Sequence, residues 1–206
     1  MKRKDDYLEP YREATGKHGS DFKVTLWANE KTQQLRFRVF CEMCYMGGKR
    51  VLDAGCSRGD FATYLNERKI EYAKFVGVDG LDEVIEFAKG RGIREAEFYA
   101  GDFVADGGLL GKGDPQIVTI SGTLNTMSDE EAIRVLESAW AGASETLLFN
   151  FLSDKVSSKA QKQGWPARRL PTVKLLEWAL SKTPLVAYRQ DYFENGHDAT
   201  IMMIKE

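Results

Sequence analysis

The chain has 206 residues, of which 43% are hydrophobic and 29% are charged, and its formal net charge is −2 at pH 7. This length suits one domain with a substantial core, and the composition is that of an ordinary globular protein. The slightly acidic charge disfavours a nucleic-acid partner, and no apolar run approaches the roughly 18 residues of a membrane span. The charged N-terminal segment MKRKDDYLEP lacks the apolar centre of a secretory signal, so we expect a cytoplasmic protein.

The three cysteines do not form a pattern that binds a metal. Cys41 and Cys44 make a lone CxxC inside a helix-like segment, and Cys56 stands apart from them. A structural zinc site needs a second pair of ligands, which the sequence does not provide. We therefore expect buried or half-buried thiols in a reducing compartment, and no metal.

The N-terminal segment differs from the rest of the chain. It is predicted to be helical in two pieces, roughly 4–16 and 29–46, and we name residues 1–47 the N-terminal lid. Strands and helices then alternate. In chain order the predicted elements are strand KRVLDA, helix DFATYLNERK, strand KFVGVD, helix LDEVIEFAKG, strands AEFYAG and QIVTIS, helix SDEEAIRVLESAWAGA, strand TLLFNFL and helix TVKLLEWALSK. This alternation predicts βαβ units and a parallel sheet.

The helix patterns also predict which faces are buried. Ser128 and Glu131 have the spacing of a capping box, which marks the start of a helix. The apolar positions that share a predicted face are Leu81, Val84, Ile85 and Ala88 in one helix, Ala132, Val135, Leu136 and Ala139 in the next, and Val173, Leu176 and Leu180 in the last.

The C-terminal end reads as a β-hairpin. PLVAYRQDYF and DATIMMIK are strand-like runs separated by the turn-forming residues ENGH. The predicted fold class is therefore α/β: a doubly wound, mostly parallel seven-stranded sheet with a C-terminal antiparallel hairpin strand and an N-terminal helical extension. We expect two units, the lid at 1–47 and a Rossmann-like domain at 48–206.

Acidic residues stand at the ends of three successive predicted strands. The first strand ends in Asp53 and leads into a turn with Gly55 and Gly59, and the next two end at Asp79 and Asp102. Ligands of open parallel sheets bind at the carboxyl ends of the strands, and glycine lets a backbone approach them closely. Any one of these acids could instead be a helix cap or a turn residue.

At these residues the chain resembles the class I S-adenosylmethionine-dependent methyltransferases, over about residues 48–152 and in the C-terminal hairpin. The resemblance implies S-adenosyl-L-methionine as the cofactor. It places the glycine turn under the methionine part, Asp79 at the ribose hydroxyls and Asp102 at the adenine amino group. The cofactor-binding residues that it implies are Asp53, Gly55, Cys56, Ser57, Gly59, Asp79, Gly80, Leu81, Asp102, Phe103, Ser121 and Gly122.

Ser57 departs from the family's pattern, which has glycine at every second position of the turn. We predict that this position does not need a positive φ, and that the hydroxyl bonds to the ligand or to the following helix. A nicotinamide dehydrogenase is a rival with the same fold, but its GxGxxG fingerprint and nearer acid do not match the GxxxG spacing here.

The acceptor is predicted to be a small molecule. The segment ISGTLN after the fourth strand lacks the Asn/Asp-Pro-Pro-aromatic run of many base methylases, and no cysteine lies there. Two alternatives stay open: a methyltransferase for RNA or protein that docks through the basic segment Lys155–Arg169, and a non-catalytic cofactor-binding module. Either a monomer or a homodimer is compatible with the sequence.

Candidate acceptor and catalytic residues come from the lid and the hairpin. The substrate candidates are Trp27, Arg36, Asn125 and Tyr192, and the catalytic candidates are His197, His18 and Tyr11. Imidazole is suited to proton transfer near pH 7, and a turn after a parallel sixth strand would lie at the rim of the site. The alternatives are that Trp27 and Tyr11 only pack the lid, and that each histidine is a surface residue.

Overall fold

The computed structural model describes residues 7–206, so the first residues of the predicted N-terminal helix lie outside the described part. The helices are α1 Glu9–His18, α2 Glu30–Met43, α3 Asp60–Glu67, α4 Asp82–Gly90, α5 Asp129–Gly142 and α6 Thr172–Lys182. The strands are β1 Arg50–Ala54, β2 Lys74–Asp79, β3 Ala96–Ala100, β4 Ile117–Ser121, β5 Thr146–Leu152, β6 Val186–Arg189 and β7 Asp198–Ile204. Short 3₁₀ turns lie at Phe22–Thr25, Gly107–Gly111, Thr123–Thr126 and Glu194–Gly196.

The strands form one sheet in the order β3-β2-β1-β4-β5-β7-β6. The pairs among β1 to β5 are parallel, whereas β7 runs antiparallel to both β5 and β6. The register sets Asp53 of β1 between Gly77 of β2 and Thr119 of β4. This architecture confirms the predicted fold class, including the reversed strand of the C-terminal hairpin.

Helices cover both faces of the sheet because its strands are apolar on both sides. All seven residues of β5 are buried. On one face, the core includes Leu136 of α5 and Leu175 of α6. On the other, Phe40 of α2 packs in one cluster with Phe61 of α3. The lid helix α2 therefore shares a core with the sheet, and a domain division at residue 47 stays a prediction.

The predicted caps and buried faces are confirmed in α4 and α5. Ser128 and Glu131 form the reciprocal capping box at the start of α5. The predicted apolar faces of the two helices, Leu81 to Ala88 and Ala132 to Ala139, are buried at each named position. Within residues 7–206, no helix combines the length and apolar character that crossing a membrane requires.

The predicted face of α6 is wrong. Val173 and Leu180 are 48% and 57% exposed, and the buried positions are Thr172, Leu175 and Ala179. The reason lies at the start of the helix, where the Thr172 hydroxyl lies 2.7 Å from that of Ser153 and its N–H donates to Asp154. These bonds turn Thr172 inward, and the positions three and seven residues further along follow it.

Two leucine-to-alanine substitutions in α6 check this orientation. We expect Leu175→Ala to lower the free energy of unfolding by about 3 kcal/mol, because it opens a cavity in the core. Leu180→Ala is the matched control and should change it by less than about 0.5 kcal/mol. Urea unfolding measures the free energies of both variants, provided that its dependence on urea concentration is the same as in the parent protein. Similar losses for the two variants would contradict the orientation seen here.

Candidate active site

A cavity of about 360 Å³ lies at the carboxyl ends of β1, β2 and β4, a volume typical of small-ligand sites. The predicted site residues in its wall are Tyr11, Trp27, Arg36, Asp53, Gly55, Cys56, Ser57, Asp79, Gly80, Leu81, Phe103, Ser121, Gly122, Asn125 and His197. Those outside the wall are His18, Gly59, Asp102 and Tyr192. The sheet and the lid therefore bring together ten of the twelve predicted cofactor residues and three of the four predicted substrate residues.

The glycine turn after β1 is shaped by close packing. Gly55 has φ +77°, and a Cβ added to it would lie 2.0 Å from the hydroxyl of Thr123. Its N–H donates to the Val78 carbonyl of the neighbouring strand at 2.8 Å. Gly59 starts α3 with φ +72°, and a Cβ there would meet the Phe98 ring at 2.9 Å. Gly59 thus shapes the turn without lining the cavity.

Ser57 does not have the predicted backbone conformation. Its φ is +46°, so the prediction that this position avoids a positive φ is wrong. The physical reason is a hydrogen bond, because this conformation lets the Ser57 N–H donate to Asp79 Oδ2 at 2.9 Å. Within the described chain the Ser57 hydroxyl donates to no helix. The strain of a left-handed serine is offset by a bond to a buried carboxylate.

Asp79 and Asp53 form an acidic floor beneath the cavity. Asp79 Oδ1 accepts the Leu81 N–H at 3.1 Å, and Asp53 Oδ1 accepts the Thr119 hydroxyl at 2.8 Å. Burial raises the pKa of Asp79 to about 6 and that of Asp53 to about 7, and the charge of Asp79 adds to the rise at Asp53. Neither carboxylate has an ion-pair partner among residues 7–206.

This floor suits the cofactor that the resemblance implies. Two buried carboxylates without an ion-pair partner favour a ligand that donates hydroxyl hydrogen bonds to them and carries positive charge. Gly55 has no Cβ, so the backbone of the turn lines the cavity while it packs against Thr123. The residues present therefore fit S-adenosyl-L-methionine.

Asp102 is not part of the cavity wall, although its neighbour Phe103 and its partner Tyr7 are. Its side chain is exposed, accepts the Tyr7 hydroxyl at 2.6 Å and accepts the Val104 N–H at 3.0 Å. These bonds are those of a turn residue, and they all use Oδ1, so the implied contact of Asp102 with the adenine stays a prediction. The adjacent Phe103 is buried and does line the cavity.

The lid reaches the cavity through side chains of α1 and α2. Burial raises the pKa of Tyr11 to about 12, so its phenol stays protonated at neutral pH. Trp27 packs close to the turn after β4, where a Cβ on Gly122 would lie 2.5 Å from its ring. His18 is exposed in the last turn of α1 and does not line the cavity.

Arg36 is held in a buried aromatic clamp. Its guanidinium carbon lies 4.3 Å from the centre of the Trp27 ring and 4.4 Å from that of Phe193. The guanidinium forms an ion pair with Asp198, in which Nε donates to Oδ2 at 2.7 Å, and Nη1 donates to the Thr32 carbonyl at 2.9 Å. The lid and the hairpin therefore meet at this charge pair.

Tyr192 stabilises this ion pair by a hydrogen bond to Asp198. Its hydroxyl donates to Asp198 Oδ1 at 3.0 Å and lies 2.7 Å from the Thr200 hydroxyl. Tyr192 is thus a positioning residue for Asp198. It does not line the cavity, and its predicted contact with the acceptor stays a prediction.

His197 and Asn125 close the same end of the cavity. His197 Nδ1 lies 3.2 Å from Arg169 Nη2, and burial together with the charges of Arg169 and Arg36 lowers its pKa. Asn125 Oδ1 accepts the Leu152 N–H at 2.8 Å, which ties the turn after β4 to the end of β5. Both residues therefore belong to the cavity wall, as predicted.

Sequence reasoning missed Phe193, Asp198, Arg169 and the wall segment 163–167. The available signal for Asp198 is an acid at the start of the apolar run DATIMMIK, since such a buried acid requires a partner. No sequence signal ties Arg169 to His197, because their contact joins a loop to a hairpin turn.

The cysteines match the expectation of unreactive thiols. Cys41 and Cys44 are half-buried, and Cys56 is buried in the turn. Burial raises the pKa of Cys41 to about 12 and that of Cys44 to about 11. Across the described chain, no group of three or more histidine, cysteine or acidic residues could hold a metal ion.

Comparison with known proteins agrees with this site. A sequence model described as a methyltransferase domain matches residues 46–138, which span β1 to most of α5. Magnesium protoporphyrin IX methyltransferase from Synechocystis PCC 6803, solved with bound S-adenosylhomocysteine, is 15% identical and has a TM-score of 0.64, with 98% of each chain covered. No curated protein matches the chain.

Two further solved structures have the same fold. A SAM-dependent methyltransferase from Archaeoglobus fulgidus is 16% identical with a TM-score of 0.62, covering 89% of this chain and 97% of the other. Phosphoethanolamine N-methyltransferase 1 from Haemonchus contortus, in complex with phosphoethanolamine and S-adenosylhomocysteine, is 13% identical with a TM-score of 0.72. That match covers 97% of this chain and 48% of the other.

The chain therefore has the fold of class I methyltransferases, and its residues 46–138 match the sequence model of a methyltransferase domain.

The acidic floor predicts a stability that depends on pH. Since the folded-state pKa of Asp53 lies near 7, above its ordinary value of 3.8, the folded state holds this proton more tightly than the unfolded state. The contribution of Asp53 to stability is therefore full below about pH 4 and is lost as pH rises toward 7. Asp53→Asn keeps an oxygen that accepts the Thr119 hydroxyl, and it replaces the titrating carboxyl group by an amide.

We expect the ligand-free Asp53→Asn protein to be more stable than the parent, with an advantage that grows by about 2 kcal/mol between about pH 5 and pH 8. Urea unfolding at the two pH values measures this difference. An advantage that is equal at both pH values would contradict a raised pKa at Asp53.

Proposed function

We propose that the protein transfers the methyl group of S-adenosyl-L-methionine to a small-molecule acceptor. The observation that carries this proposal is the cavity itself, which is bounded by Tyr11, Trp27 and Phe193 and by the segment 163–167. Aromatic walls around a cavity of about 360 Å³ suit a compact molecule better than an extended polymer.

The basic segment Lys155–Arg169 supports the same proposal. Arg168 pairs with Asp129 at 2.6 Å and donates to the Met127 carbonyl, so its charge is used within the protein. Arg169 donates to the Ser153 carbonyl at 2.8 Å. Arginines that are engaged in this way are poorly placed to contact the phosphates of an RNA.

For the cofactor we propose that the turn at 55–59 holds the methionine part and that Asp79 accepts the ribose hydroxyls. Both oxygens of Asp79 already take backbone N–H groups, which orient the carboxylate toward the cavity. Phe103 would meet the adenine, whereas Asp102 is engaged by Tyr7. Ser121 and the neighbouring turn would border the methionine end.

The chemistry that the cofactor supplies is a methyl group on a positively charged sulfur. The residues of this chain bind the two substrates, align them and exclude water, which is sufficient for an in-line displacement. Tyr11 stays protonated because its pKa is about 12, so it is a hydrogen-bond donor in this site. A cytoplasmic location and a monomeric or homodimeric state stay predictions.

Asp79→Asn tests the cofactor end. We expect at least about tenfold weaker binding of S-adenosylhomocysteine, because one carboxylate oxygen that accepts charge-assisted bonds is lost. Asp82→Asn is the matched control, since Asp82 is exposed three residues further on and lies outside the cavity. Isothermal titration calorimetry measures both variants, and equal affinities for the two would contradict the role of Asp79.

A labelling experiment tests the acceptor class. The parent protein is incubated with methyl-labelled cofactor and with the RNA, protein and small-molecule fractions of a cell lysate. We expect label only in the small-molecule fraction, and about tenfold less of it with the Asp79→Asn variant when the cofactor is limiting. Label that enters RNA or protein with the parent and falls similarly with the variant would overturn the proposal of a small acceptor.

A further inference from the structure

We name the end of the cavity formed by Arg36 and His197 the acceptor end. The Arg36 guanidinium there has N–H donors without a protein partner in the described chain. Arg36 is 3% exposed and lines the cavity. A guanidinium has five N–H donors. In the described chain three of them are engaged, two by Asp198 and one by the Thr32 carbonyl. One N–H on Nη1 and one on Nη2 are left without a protein partner.

The orientation of that guanidinium is restricted. Trp27 and Phe193 cover its two faces at 4.3 and 4.4 Å, so a further ligand can approach only in the guanidinium plane. In-plane N–H groups are the donors that bind carboxylates.

His197 presents a second donor at the same end. Arg169 Nη2 lies 3.2 Å from His197 Nδ1, and a guanidinium can only donate. Nδ1 must therefore accept, and the proton of the neutral ring is on Nε2. Arg169 is itself held by the carbonyls of Ser153 and His197. The Nε2–H has no partner in the described residues, and the ring lines the cavity.

The charges of this end favour a monoanion. Arg36 and Arg169 contribute two positive charges, and Asp198 contributes one negative charge. The remaining charge is one positive unit. A carboxylate balances it, whereas a phosphate dianion leaves a net negative charge in a partly buried site.

We propose that Arg36 and His197 bind a carboxylate of the acceptor, and that Trp27 and Phe193 contact the apolar part next to it. This inference rests on the proposed function, since it names the class of small molecule that is methylated. His197 is then a hydrogen-bond donor to the acceptor. It is not a general base, because its unprotonated nitrogen is taken by Arg169.

The test uses benzoate and benzamide as probes, because they share a shape and differ in charge. Protein saturated with S-adenosylhomocysteine is titrated with each probe and with phenyl phosphate by calorimetry. We expect benzoate to bind at least about tenfold more tightly than benzamide, and more tightly than phenyl phosphate. Equal binding of benzoate and benzamide would overturn the proposal, and preference for phenyl phosphate would overturn the choice of a monoanion.

Variants test whether His197 and Arg36 bind the carboxylate of benzoate. His197→Asn keeps an acceptor for Arg169 and removes the Nε2–H, so it should reduce benzoate binding about tenfold and leave benzamide binding unchanged. His18→Asn is the matched control, since His18 is exposed and outside the cavity. The double variant Arg36→Met with Asp198→Asn removes both buried charges together and should abolish the preference for benzoate. Benzoate binding that is unchanged in both test variants would place the anion elsewhere.

The tautomer can be observed directly. The chain has two histidines, so nitrogen-15 spectra of the His18→Asn protein report His197 alone. We expect the Nε2–H tautomer, with a shift of its Nε2 signal when benzoate is added. A proton on Nδ1 would overturn the donor role. Failure to bind S-adenosylhomocysteine at all would instead count against the proposed function, so the two failures are distinguishable.

Discussion

The buried ion pair between Arg36 and Asp198 is the interaction on which the acceptor end of the site depends. It joins α2 to the start of β7 across 162 positions of the chain. Burying two charges is costly, and the cost is offset here by the Thr32 carbonyl, the Tyr192 hydroxyl and two aromatic faces. Loss of one partner alone would leave an uncompensated charge, which is why the lid and the hairpin are held in one arrangement.

The cofactor end depends on a different constraint, the carboxylate of Asp79. Its bond to the Ser57 N–H holds the turn in a left-handed conformation, and its bond to the Leu81 N–H precedes the start of α4. The cavity therefore has acidic residues at the strand ends and a net positive group near the hairpin. In the proposed function, this polarity separates the positively charged cofactor from an acceptor that carries a carboxylate.

Much of the fold follows from local patterns. Buried β-branched strands, the capping box at Ser128 and the acids at strand ends were sufficient to place the sheet, the turn and its floor. Local patterns did not predict which face of α6 is buried. Hydrogen bonds with Ser153 and Asp154 orient the helix and override the apolar spacing at Val173 and Leu180. The backbone of Ser57 differs from the prediction for a similar reason, since its hydrogen bond to Asp79 offsets an unfavourable positive φ.

The sequence by itself determined the class of fold, the order of its elements, the glycine turn and the acids at the strand ends. These features depend on periodicity and on residues that are close together in the chain. Only the tertiary structure decided that Asp102 accepts from Tyr7, that Tyr192 supports Asp198, and that His197 lies beside Arg169. Each of these depends on a partner contributed by another element, and a hydrogen bond between distant segments leaves no periodic signal in the sequence.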